Sequence, residues 1–195
     1  MRRSQFVSLL SVSFSTLVIC GQAAYAEPSF FDRLQPAGSN SRASDNKPSK
    51  AERKLSAAEH LNLASNLRAG GNAAGAINVL EKAHHDFPEN TDILKQLGIA
   101  LIDAKRPVEA IEVFDVLAAM EPKNARAYNG KAVAFDTAGN HTAALEIYEK
   151  ALSLEPTSVA IRNNMAMSKI LNNQLDEAIA MLEILLAEAP EVPKI

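Results

Sequence analysis

From Leu55 to Ile195 the apolar positions recur at helical spacing in short blocks, and the blocks themselves repeat. In "EPKNARAYNGKAVAFDTAGNHTAALEIYEKALSLEP", residues 121–156, one apolar run stops at Ala-Gly-Asn and the next stops at the Glu-Pro on which the segment began. Apolar residues three and four apart line one face of a helix, so each run reads as an amphipathic helix rather than a strand. Pro88, Pro122, Pro156 and Pro190 stand thirty-four residues apart. Proline lacks an amide donor and pushes the residue before it out of the α region, so each of these closes a helix. The stretches "GGNAAGA", "AKRPVEA", "AGNHTAA" and "NNQLDEA" divide each period in two. The pattern predicts A helices near 57–69, 91–104, 125–138 and 159–172, and B helices near 73–86, 107–119, 141–154 and 175–188.

A fixed period of this size belongs to stacked helical hairpins, and thirty-four residues is the length of a tetratricopeptide repeat. The prolines phase four repeats, 57–90, 91–124, 125–158 and 159–192. Small residues fill the eighth column (Ala64, Gly98, Ala132, Ala166) and alanine fills the twentieth (Ala76, Ala110, Ala144, Ala178). Two helices approach closely only where side chains are small, so both columns are expected where helix A crosses helix B. The twenty-fourth column is large, with Leu80, Phe114, Tyr148 and Leu182 suited to plug the gap to the next hairpin; the eleventh holds Leu67, Leu101 and Phe135, then Lys169. Gly-Asn and Asn-Gln suit the tight turns, and Pro107 suits a first helical position. One hairpin cannot bury its own apolar face. The expected fold is therefore all-α, a right-handed solenoid of about four hairpins over residues 55–195 with the A helices concave. In the last hairpin Ile179, Leu182, Leu185 and Leu186 form a stripe with no following helix, which is expected either to meet another chain or to mark a sequence that stops short.

The first residues read as an address. "MRRSQFVSLLSVSFSTLVICGQAAYAE" has two arginines, an apolar run from Phe6 to Cys20 and then Ala24-Tyr25-Ala26. This is the order of a secretory signal peptide, residues 1–26, with cleavage expected after Ala26. The run is too short and too serine-rich to span a membrane. Periplasmic export is the expected fate, with outer-membrane association if Cys20 carries lipid; Ile19 stands where that signal favours Gly, Ala or Ser. Cys20 is the single cysteine, so the cleaved chain would form no disulfide and would depend on packing. Residues 27–54, rich in Ser, Asn, Pro and charge, read as a disordered linker. Phe30, Phe31 and Leu34 are its sticky spot, more simply read as leftover apolar residues than as a docking motif.

Composition narrows the function. No tryptophan, 5% aromatic residues and a 47% hydrophobic content rich in Ala, Leu and Ile suit a helical protein rather than a barrel or sandwich. The net charge of −3 divides unevenly: residues 55–195 carry 12 basic and 19 acidic side chains, residues 27–54 carry 6 basic and 4 acidic. An acidic array without a dense basic face is a poor match to a phosphate backbone, so no nucleic-acid partner is expected.

No P-loop, HExxH, nucleophile elbow or strand-turn-helix glycine signature is present. His84 and His85 are adjacent, but neighbouring helical residues point about 100° apart and no ligand recurs at i+4, so a solvated helix end is the simpler reading. His60 and His141 are single residues, and the acids are scattered. The chain is thus expected to be no enzyme and to need no cofactor or metal. Binding fits better. Helix A positions facing a groove include Asn62, Ser65 and Arg68; Asp92, Lys95, Gln96 and Ile99; Arg126, Asn129, Val133 and Asp136; and Asn163, Asn164, Met167 and Ile170. Asn62, Gln96, Asn129, Asn163 and Asn164 form a rough amide ladder, able to pair with both N–H and C=O of an extended peptide. Lys95 and Arg126 suit a carboxylate.

In the third and fourth repeats the match is narrower. Asn129-Gly130, Asp136 ahead of Gly139 and His141, Tyr148, and Arg162-Asn163-Asn164 leading into "MAMS" resemble the TadD-type tetratricopeptide proteins of the tight-adherence (Tad/Flp) pilus machinery. The resemblance implies an exported adaptor, often lipid-anchored, that assists assembly of a pilus secretion complex including its secretin. The alternative is a periplasmic peptide-binding module serving cell-wall or division proteins. The resemblance departs at Cys20, whose surroundings suit lipidation poorly, and at the end, where such proteins commonly continue with a further repeat.

Overall fold

The structure is a computed structural model that describes Phe30 and residues 54–188. The signal peptide, the rest of the linker and Pro190 fall outside the described residues. Eight helices follow one another in the array: α1 Ala57–Ala69, α2 Ala73–Asp86, α3 Thr91–Asp103, α4 Pro107–Met120, α5 Ala125–Thr137, α6 His141–Leu154, α7 Val159–Leu171 and α8 Leu175–Glu188. The sequence-derived boundaries agree to within a residue.

Six of the eight helix starts have a local cause. The side chains of Ser56, Asn72, Asn90, Asn124 and Asn140 accept from amides in the first turn of α1, α2, α3, α5 and α6, which satisfies donors that a helix start leaves orphaned. Ser56 completes a capping box with Glu59. At α4 the start is held by Pro107, whose missing amide has no partner to lose. Pro88, Pro122 and Pro156 each lie two residues past a B helix.

The A-to-B turns share one conformation. Gly71, Lys105, Gly139 and Asn173 all adopt positive φ, at 77°, 58°, 80° and 60°. Each lets the next residue reverse direction and bond to the helix it has left, as Asn72 N–H does to the Leu67 carbonyl and Arg106 N–H to that of Leu101.

Every residue of the eighth and twentieth columns is buried, and Leu80, Phe114 and Tyr148 lie inside with at most 1% exposure. Each helix packs on the next; consecutive A helices also meet (α1 with α3, α3 with α5, α5 with α7), whereas no two B helices among those described come close. The stack therefore bends around its A helices, which form the inner wall.

Phe114 shows how tightly the layers mesh. Its ring enters between α3 and α5, where a Cβ on Gly98 would come within 2.6 Å of Cζ and one on Gly130 closer still. Phe30 joins the core cluster of the first repeats, 4% exposed. At the other end only Ala178 of α8 is buried; Leu175, Ile179, Ile184 and Leu186 are exposed, while Leu182 and Leu185 are half-buried. The stripe expected there is present, with its centre half-buried. None of the described helices is long and apolar enough to cross a membrane.

Candidate functional site

A cavity of about 580 Å³ opens on the A-helix wall. Lys95, Ile99, Ile102 and Asp103 of α3 form one side, Arg126, Asn129, Gly130 and Val133 of α5 the other. Phe114 reaches its floor from α4, and Glu155, Ser158, Ala160 and Ile161 close it at the α6–α7 connection. The one-turn spacing of Lys95 and Ile99, and of Asn129 and Val133, puts each pair on the same face of its helix.

The cavity is apolar within and charged at its mouth. Lys95 pairs with Asp92 one turn earlier. Arg126 is exposed, and its guanidinium has no partner among the described residues. An exposed guanidinium of this kind can hold a carboxylate bidentately.

The sequence-derived groove residues separate into three groups. Lys95, Arg126 and Asn129 line the cavity together. Gln96 and Asn164 are spent on neighbouring repeats: Arg68 Nη1 donates to Gln96 Oε1 at 3.0 Å, and Asn164 Nδ2 donates to Asn129 Oδ1 at 3.1 Å. Arg68 also reaches Asp103, Nε to Oδ2 at 2.7 Å. Asn62 and Asn163 are exposed and lie outside the cavity wall. The amides thus link successive A helices as much as they face a guest. Sequence reasoning missed Phe114 and the Glu155–Ser158 wall, because the contribution of a B helix and a connecting loop has no signal in helix A periodicity; it also missed Ile102 and Ile161, which lie on A helices but outside the columns read as facing the groove.

Asp136, expected to face the groove, is occupied elsewhere. Its Oδ1 accepts from Ser168 Oγ at 2.7 Å and lies 2.9 Å from His141 Nδ1, while Oδ2 accepts from Tyr148 OH at 3.1 Å. One carboxylate ties α5 to α6 and α7. Burial above all, reinforced by the Asp136 charge, pushes the Tyr148 phenol far above its ordinary value, so it remains a donor. The carboxylate is at the centre, not behind the imidazole, so this is no serine–histidine nucleophile arrangement.

His84 departs from its expected solvated position: it is 6% exposed, whereas His85 is exposed. Adjacent helical positions have sent one imidazole inward and one out. Among the described residues no three His, Cys, Asp or Glu side chains are grouped as metal ligands.

A tetratricopeptide-repeat family model matches residues 67–134 and 137–195, and a second of the same description matches 114–159. The chain belongs to the tetratricopeptide repeat family. An uncharacterized protein of Sinorhizobium fredii, y4yS, is 41% identical over 81 residues, 42% of this chain; the match spans 44% of that relative's length. Among solved structures, TTC0263, a tetratricopeptide repeat protein of Thermus thermophilus, superposes with a TM-score of 0.62 at 21% identity over 68% of this chain and 74% of its own. The first tetratricopeptide repeat region of Spaghetti (RPAP3), bound to the HSP90 peptide SRMEEVD, superposes at 0.53 with 19% identity over 64% and 93%. At those identities the likeness is one of fold, and this tetratricopeptide repeat array shares it.

Proposed function

We propose that this protein is a non-enzymatic adaptor that holds an extended protein segment in the cavity between α3 and α5. The carrying observation is the meeting of Lys95, Arg126 and Asn129 around an apolar floor on the inner wall. An apolar side chain of the guest enters between Ile99, Val133 and Ile161, and an acidic group lies against Arg126. The peptide held by the RPAP3 structure is a precedent for this fold serving as a protein-binding scaffold.

The finer reading is an exported adaptor for pilus or secretion-complex assembly, with a secretin or another machine component as guest. It rests on the signal-like residues 1–26 and on the TadD-type resemblance of the third and fourth repeats. Part of that resemblance, Asp136, His141 and Tyr148, has a structural role, so the partner assignment leans on export and on Asn129.

A photo-cross-linking side chain at Val133, with exposed Glu149 of α6 as control, tests the groove in cells. Capture of a pilus or secretion component through Val133 alone supports the full reading. Capture of a cell-wall or division protein transfers the adaptor to that system. Equal capture from both positions, or none from Val133, removes the groove. Fractionation with N-terminal sequencing tests export separately, the expected first residue being Glu27.

A further inference from the structure

Phe30 is the only described residue before Lys54, and it is buried in the core cluster of the first repeats. The guanidinium carbon of Arg106 lies 5.7 Å from the centre of its ring, within the range of a cation–π contact. Arg106 is fixed for this contact: Nε donates to Glu109 Oε1 and Nη2 to Glu109 Oε2, both at 2.6 Å. Glu81 of α2 also acts on Arg106 electrostatically. Arg106 occupies the N-cap position of α4 without capping it by a side-chain bond. Its side chain is committed instead to the Glu109 fork and the Phe30 ring.

The periodic core does not call for this ring. The eighth and twentieth columns are buried in every layer, and among the described residues the cluster around Tyr148 draws only on the array itself. Phe30 reaches its place from beyond residues 31–53, a stretch with no apolar periodicity of its own. The entropic penalty for bringing two distant points of a chain together grows only logarithmically with their separation, so one well-buried aromatic contact can offset it.

We propose that Phe30 is a detachable latch, its ring filling a socket beside Arg106 that is a binding site for one aromatic side chain presented by a short segment. The occupant is this chain's own Phe30. The socket lies beside Arg106, at the start of α4. The socket is separate from the cavity between α3 and α5.

The test uses the full chain, the full chain with Phe30→Ala, and two fluorescent synthetic peptides: residues 27–34, and the same peptide with Phe30→Ala. The Phe30→Ala chain is expected to keep its helicity and a cooperative thermal transition. It should bind the natural peptide about tenfold more tightly than the unaltered chain does, as a site nine-tenths occupied by its own ligand requires. The alanine peptide should bind neither chain, and adding Arg106→Ala to the Phe30→Ala chain should weaken capture of the natural peptide. A folded Phe30→Ala chain that ignores the peptide overturns the latch, as does equal binding by both chains or by both peptides. Loss of the cooperative transition in the Phe30→Ala chain overturns it as well, because Phe30 would then be an integral part of the core.

Discussion

Phe114 of α4 occupies, between α3 and α5, the space that a Cβ on Gly130 would need. A small residue at this helical position follows from the ring, since glycine in a helix interior is otherwise unfavourable by about 1 kcal/mol relative to alanine. Gly130→Ala is expected to destabilise the array by a net of about 1–2 kcal/mol, the overpacking exceeding the gain in propensity. Chemical denaturation measures it. Adding Phe114→Leu should recover part of the loss, a coupling that independent sites would not give.

Asp136 ties three helices together, and its removal leaves Ser168, with no exposed surface, and Tyr148, with 1%, without their acceptor. Asp136→Ala should destabilise by on the order of 3 kcal/mol, the penalty for stranding buried donors. Hydrogen exchange should show the opening in α5, α6 and α7 ahead of α2 and α3. Uniform loosening of the whole array would contradict this account of the network.

Lys105 adopts φ 58° where the equivalent residues of the first and third repeats are glycines. A side chain there is strained and a glycine is not. Lys105→Gly is expected to stabilise by about 0.5–1 kcal/mol, read as a higher thermal midpoint. Gly139→Val should move the midpoint the other way.

Burial, aided by neighbouring His85, holds the His84 imidazole below its ordinary value of 6.5. The unfolded chain therefore takes up this proton first as the solution is acidified, and stability falls as pH drops through about 6.5 toward the lower folded value. Thermal midpoints between pH 7 and pH 5 should fall more steeply for the unaltered protein than for His84→Gln. Parallel curves would show that another group governs the window.

The stack was legible in the chain because its signals are periodic. Pro88, Pro122 and Pro156 punctuate B helices by a backbone rule, and the alanines of the twentieth column report helix crossings by size alone. Lys105 gave no hint of its left-handed conformation, because lysine is not a turn former. Asp136 and Ser168 lie thirty-two residues apart, and nothing in a single helix face distinguishes a carboxylate that awaits a guest from one already held by the next repeat. Lys95, Arg126 and Asn129 were reachable through their register on helix A, whereas the floor at Phe114 depends on how deeply a B-helix side chain penetrates. Composition marks Phe30, Phe31 and Leu34 as a sticky spot and favours leftover apolar residues, but Phe30 is buried in the core; which ring finds a socket far along the chain has no signal in composition.

Neighbouring inner helices touch while the outer ones stand apart, so the molecule is built like a book opened on its spine. Small rotations at each joint leave the inner seam intact and add along the stack. A modest change at every hairpin can therefore widen or narrow the embrace as a whole, and guests of different girth can be accommodated without breaking any single layer.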